Sequence, residues 1–203
     1  MGRKLLIAGL FLGAASLLTA GQAYAVGHSD GGCSGCHLPH HATLEDEASG
    51  VWGVPLWSNV NLDDAALPVF QLYNSTTLDA SLNQPNGPSK LCLGCHDGTN
   101  SHVSEETLFS ADTGLKTSHP ISFQYTTALA TTDGGLYDPT THDSGLGGSI
   151  KDDLLDSKGY MQCTSCHDVH ATGIGDYLLK YDIVTVYPDR RKDAVMCRVC
   201  HIK

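Results

Sequence analysis

Every cysteine of the chain lies in one of four Cys-x-x-Cys-His units, and this constrains the fold more than any other feature. The units are Cys33-Ser34-Gly35-Cys36-His37, Cys92-Leu93-Gly94-Cys95-His96, Cys163-Thr164-Ser165-Cys166-His167 and Cys197-Arg198-Val199-Cys200-His201. On a tight, near-helical turn, two thiols three residues apart share a face, and each can form a thioether with one vinyl group of a haem. The next residue then lies under the iron, where its imidazole is the proximal ligand. Zinc ribbons, redox-active dithiols and structural disulfides also use the Cys-x-x-Cys spacing. None of them explains why histidine follows the second cysteine in all four units. The reading that does is covalent attachment of four haem c groups through these eight cysteines, with His37, His96, His167 and His201 as proximal ligands.

The distal ligand decides what such an iron can do. A second histidine closes it for electron transfer, methionine raises its potential, and an open site admits ligands. After residue 1 the only methionines are Met161 and Met196, two and one residues before Cys163 and Cys197. Neither reaches the far face of its own haem, so packing is their expected role. Histidine is better supplied, with His28, His40, His41, His102, His119, His142 and His170 beyond the proximal four. His40 and His170 each lie three residues after a proximal histidine. On a continuing helical turn that offset directs the ring away from its own haem and toward a neighbouring one. His119 precedes Pro120 and the alternating Ile121-Ser122-Phe123, which predicts a short extended stretch held against a haem face. The spacing leaves the fourth distal ligand open among the remaining histidines.

Residues 1–25 read as a secretory signal. Arg3 and Lys4 open it, Leu5 to Ala20 form an apolar run, and Ala23-Tyr24-Ala25 supplies small residues for cleavage. Gly9, Gly13 and Ser16 interrupt that run, which argues against a retained anchor, and no later segment reads as a membrane span. The expected destination is the periplasm, the cell surface or the extracellular space, which suits a haem attached outside the cytoplasm. Residues 26–203 then form one tetrahaem cytochrome c domain. Without Arg3 and Lys4 the chain holds 10 basic and 22 acidic residues, a net charge of −12. That balance disfavours nucleic acid and anionic membranes as partners and suits a basic or metallic one.

Between the motifs, regular structure is sparse. Short helices are expected at the attachment sites, near 61–73 and near 151–157. Tyr181 to Tyr187 is the best strand candidate, ended by Pro188, and 131–149 reads as a long Gly-, Thr- and Asp-rich loop. Its Asp133, Asp138 and Asp143 have no EF-hand spacing, so solvated loop carboxylates are expected rather than a calcium site. The expected fold is a haem-dense, loop-rich multihaem cytochrome with short helices and little strand, its core formed by the haem stack.

The motifs also run in a distinctive order. Cys36-His37-Leu38-Pro39-His40 is followed by Val54-Pro55-Leu56-Trp57 and then by Leu91-Cys92-Leu93-Gly94-Cys95-His96-Asp97-Gly98-Thr99. His119-Pro120-Ile121-Ser122-Phe123, Asp133-Gly134-Gly135-Leu136 and Cys166-His167-Asp168-Val169-His170 come next. Together they resemble the doubled-CxxCH cytochromes of metal-reducing bacteria, most of all the tetrahaem extracellular cytochromes that polymerise into nanowire filaments. The resemblance covers most of residues 26–203 and implies that His40, His119 and His170 are distal ligands. Relatives often carry Asn-His directly after the Leu-Trp pair and use that histidine as a ligand; here Ser58-Asn59 follows Trp57. The resemblance therefore requires a replacement from His28, His41, His102 or His142, or leaves one iron open. His28 is favoured, because a histidine near the N-terminus can serve its own subunit or a neighbour's.

Two function classes follow. The first is an electron conduit of four closely packed, bis-His haems, exchanging electrons with redox proteins or an extracellular acceptor, and assembling as a homopolymer if the resemblance extends that far. The second is a multihaem reductase acting on a small oxidised nitrogen or sulfur species at one open iron. The supply of histidine and the lack of any Cys-x-x-Cys-Lys unit favour the conduit, so no enzymatic activity is expected.

Overall fold

The computed structural model describes residues 33, 36–37, 40, 42, 46, 50–53, 56–57, 67–98, 109, 114–170, 178–181 and 193–202. Within them the order is α1 (Gly87–His96), β1 (Phe123–Gln124), α2 (Thr127–Asp133), α3 (Ile150–Leu154), β2 (Tyr160–Met161), α4 (Cys163–Cys166) and α5 (Asp193–Cys200). Among the described residues no helix is long and apolar enough to cross a membrane. The proposed signal at 1–25 and His28 lie outside them, as does the strand candidate beyond Tyr181.

Helix α1 follows an extended Asn86, and Pro88 occupies its first turn, where a missing N–H costs nothing. Gly87 has φ +49°, and a Cβ there would lie 2.6 Å from Nε1 of Trp52, so the helix begins where only glycine fits against the indole. Ser89, Leu91 and Leu93 of α1 are buried. Leu91 packs with Val51 and Trp57, and Leu93 packs with Phe70 and Leu115. Two small apolar clusters thus meet on the helix that carries the second motif.

The third cluster holds Phe123, Tyr125, Ala130, Ile150, Leu154 and Met161. Its frame is the antiparallel β1–β2 pair, with Phe123 opposite Met161 and Gln124 opposite Tyr160. Met161 is buried there, which is the packing role expected from sequence. Helix α2 starts where Thr126 Oγ1 accepts the Leu129 N–H (3.1 Å) and ends at left-handed Gly134, whose N–H donates to Ala130 O (3.0 Å). The segment expected as loop from 131 therefore begins after residue 133, because this cap pair completes a helix. Helix α3 has a reciprocal cap in which Ser149 Oγ accepts from Asp152 N (3.2 Å) and Asp152 Oδ2 accepts from Ser149 N (3.3 Å). It falls at the start of the 151–157 region expected to be helical.

The helix expected near 61–73 is not formed in its described part, 67–73. Pro68 removes a donor, and the side chain of Gln84 takes both backbone groups of Phe70: Phe70 N donates to Oε1 (2.9 Å) and Nε2 donates to Phe70 O (2.9 Å). A side-chain amide here does the work of a neighbouring strand.

In the loop after α2, the acidic residues bond their own backbone. Asp133 accepts from Gly135 N (3.0 Å), Asp138 from Thr140 N (2.9 Å) and Asp143 from Gly145 N (2.8 Å). These are Asx turns, the behaviour short acidic side chains favour in loops.

Candidate haem and metal site

The four Cys-x-x-Cys-His units repeat one local geometry. In three of them the histidine N–H donates to the carbonyl of the first cysteine, closing one helical turn: His37 to Cys33 at 2.8 Å, His167 to Cys163 at 3.0 Å and His201 to Cys197 at 2.9 Å. The second unit lies inside α1, where Cys92, Cys95 and His96 occupy the last two turns. All eight cysteines lie among the described residues and none is in a disulfide. Each pair thus shares one helical face with a histidine at its end.

Three of these histidines are pinned just past the turn by a single antiparallel bridge. Trp57 stands opposite His37, Leu179 opposite His167 and Leu136 opposite His201. Trp57 also meets the His37 ring edge-on, with centroids 5.7 Å apart. Asp168 N donates to Leu178 O (2.7 Å) and Lys180 N to Cys166 O (2.9 Å), so the 178–180 segment brackets His167. Tyr137 N donates to Cys200 O (2.9 Å) and Ile202 N to Gly135 O (2.8 Å), which brackets His201 in the same way. His96 is held differently, inside α1, its carbonyl accepting from Phe109 N at 2.8 Å.

The structure brings two of the expected distal histidines to proximal ones. His170 faces His37 with centroids 6.0 Å apart and planes 20° from parallel, and His119 faces His201 at 6.3 Å and 78°. A metal–imidazole bond is about 2.0–2.1 Å and the ring centre lies roughly 1.1 Å beyond the nitrogen, so two imidazoles sharing one metal have centroids about 6.2 Å apart. The angle between the planes is unconstrained, since each ring turns about its own bond. The His119 ring is also oriented to coordinate, because Nδ1 donates to Pro120 O (2.8 Å) and leaves Nε2 as the coordinating nitrogen. His170 is steadied through its backbone, N donating to Asp168 Oδ1 at 2.9 Å.

Among the described residues, the other two candidates, His40 and His142, are not brought to a motif histidine in this way. His40 is exposed and in no ring pair among the described residues. His142 stacks flat on Tyr137, with centroids 3.7 Å apart and planes 7° from parallel. His41 and His102, like His28, lie outside the described residues. Among the described residues no three His, Cys, Asp or Glu side chains converge as a zinc cage would need. Pairs of imidazoles at this separation, beside paired thiols, fit a group that would supply its own equatorial ligands, as a porphyrin does.

Some thiols of successive units lie near one another. Cys36 lies close enough to Cys92 to act on it electrostatically, and Cys92 and Cys163 are in hydrogen-bonding contact. That contact pushes Cys92 well up and brings Cys163 down to about 7. Cys166 is raised by burial and by the nearby Cys163 and Cys197, and Cys200 is pushed up to about 12, mainly by burial. Sequence reasoning found the cysteines and histidines because their pattern is local. It missed Leu179, which carries no motif, and gave Trp57 and Leu136 a place in the motif order without their role, which is to pair with a distant turn. No family model matches the chain, and no curated protein matches it.

Proposed function

We propose that the chain is a four-haem c-type cytochrome that conducts electrons. The observation that carries this reading is the recurrence of one Cys-x-x-Cys-His turn, joined by two histidine pairs at the separation expected across a metal. Bound haem would supply reversible one-electron iron chemistry. The chain's residues do the rest. The cysteine pairs would anchor each group by thioethers, and the four following histidines would each ligate an iron. His170 would serve as second ligand to an iron held by His37, and His119 to one held by His201. His40 and His28 are the proposed distal ligands for the remaining two.

Two features of the fold support the reading. Among the described residues the apolar side chains form three small clusters rather than one contiguous core, as expected where prosthetic groups fill the space between them. Thiols of successive units lie near one another, which would suit haems held at short range. Export, a place at the cell surface and assembly into a filament belong to the same proposal, and rest on the signal-like start and on the resemblance described above.

The test is the haem-to-protein ratio from a pyridine haemochrome assay, with ferric EPR over a dilution series. Four haems per chain with low-spin signals at every concentration support a self-contained conduit. A high-spin iron that persists on concentrating favours the reductase, and one that vanishes on concentrating shows that a neighbouring subunit supplies the ligand. A chain that takes up no haem refutes the proposal.

A further inference from the structure

Between the second and third attachment turns lies a buried polar network that electron conduction does not by itself require. Ser89, three residues before Cys92 on α1, is fully buried, and its Oγ accepts the Cys163 N–H at 2.9 Å. Gln162, 1% exposed, precedes α4 and uses its whole amide. Its Nε2 donates to Asn86 Oδ1 (2.9 Å) and Asp156 Oδ2 (3.0 Å), and its Oε1 accepts from Ser122 Oγ (3.2 Å). Ser122 Oγ in turn accepts from Asn86 N at 3.2 Å. Ser122 is fully buried and held at φ +58°, a strained conformation for a residue with a Cβ. Gln162 N donates to Ser165 Oγ (2.8 Å), which ties the amide to the turn it precedes.

The residues that begin α1 and α4 are thus bonded to one another through one side-chain amide, and the first cysteine of one motif is bonded to the helix of the other. A network with every member satisfied specifies a single arrangement, whereas apolar packing tolerates sliding. What this network holds in register is the contact between the Cys92 and Cys163 sulfurs.

The geometry points to Ser89 and Gln162 as positioning residues that would set the approach of the groups held by the second and third units, at Cys92 and Cys163. This inference rests on the haem reading above and goes beyond it, because it assigns the haem-to-haem spacing to two side chains that lie outside the five-residue units themselves. Electronic coupling between haems falls steeply with separation, so a clamp at this point governs one step of the conduction path.

The test uses the full haem-loaded chain in three forms: unsubstituted, Ser89→Ala and Gln162→Met. Two measurements are made on each, the haem-to-protein ratio and the bisignate Soret couplet in circular dichroism, which reports haem–haem coupling. The expected result is four haems in all three forms and a weakened couplet in both variants. An unchanged couplet in both variants, with haem content retained, overturns the inference and leaves the cytochrome reading intact. Should Ser89→Ala fail to accumulate, Gln162→Met decides alone, since it leaves the Ser89 bond in place. An unsubstituted chain without haem overturns the cytochrome reading and this inference together.

Discussion

Replacing Gly87 by alanine tests how α1, and with it the second attachment motif, is set in place. Two costs are expected. The backbone stands at φ +49°, where a Cβ costs about 1–2 kcal/mol. The new methyl would also lie 2.6 Å and 2.7 Å from Nε1 and Cε2 of Trp52. That ring cannot swing aside cheaply. Its Nε1 donates to Asp156 Oδ2 (3.0 Å), Lys158 Nζ sits over it at 4.4 Å, and Tyr160 packs against it with centroids 5.7 Å apart. Overpacking of this kind costs about 1–3 kcal/mol, so Gly87→Ala is expected to destabilise by about 2–5 kcal/mol in total. The two parts separate in a Trp52→Leu background, where the clashing ring atoms are gone. Asp156 Oδ2 still accepts from Gln162 there, so no buried carboxylate is stranded. In that background Gly87→Ala is expected to cost only the backbone part, leaving a coupling of about 1–3 kcal/mol between the sites. The assay is urea unfolding of the four chains by far-UV circular dichroism. If Gly87→Ala costs the same in both backgrounds to within about 0.5 kcal/mol, the indole is not what demands glycine, and the reasoning fails.

Replacing both Cys163 and Cys166 by alanine, which removes both thioether partners of one unit, is expected to lower covalent haem from four per chain to three by pyridine haemochrome; an unchanged count would show that these thiols are not what attaches a haem. His119→Ala is expected to turn one of the irons high-spin in ferric EPR, because His201 would then be left as its sole axial histidine, and an all-low-spin spectrum would exclude His119 as a ligand. The carboxyls of Asp138 and Asp152 lie below their ordinary value of 3.8, held there by hydrogen bonds from Thr140 and Thr127 and from Ser149. A folded-state value below the unfolded one means their stabilisation is present above pH 3.8 and fades as pH falls through the folded value. Thermal melts at falling pH should therefore show a smaller acid loss in Asp138→Asn than in the unsubstituted chain, and equal slopes would count against this assignment.

How much of this was legible in the sequence depends on how far each interaction reaches along the chain. The Cys-x-x-Cys-His turns were legible because five residues contain the whole pattern. The pairing of His170 and His119 with other motifs was foreshadowed by offset and by the following proline, but which proximal histidine each would face was not. That choice is made by contacts between turns far apart in sequence. Helix α2 was overlooked because its threonines favour strand, although Thr126 and Gly134 carried its start and stop signals. The helix expected to run through 67–73 fails because Pro68 withholds a donor and Gln84, well along the chain, claims Phe70. Ser89 and Gln162 could not have been singled out, since a buried serine and glutamine show their worth only once α1 and α4 lie side by side.

The bracket around His201 has a consequence for the order in which the fold can close. Leu136 is bridged to His201, Tyr137 N binds Cys200 O, and Ile202 N binds Gly135 O. The 135–137 strap is synthesised well before the residues that satisfy it, so until they arrive these ladder groups are left to water. Closing so long a loop has a large fixed entropic cost and is slow relative to local turns. The fourth unit therefore acts as a latch: the three earlier turns can form as they emerge, but the segment bridged to His201 stays unfastened until that unit docks.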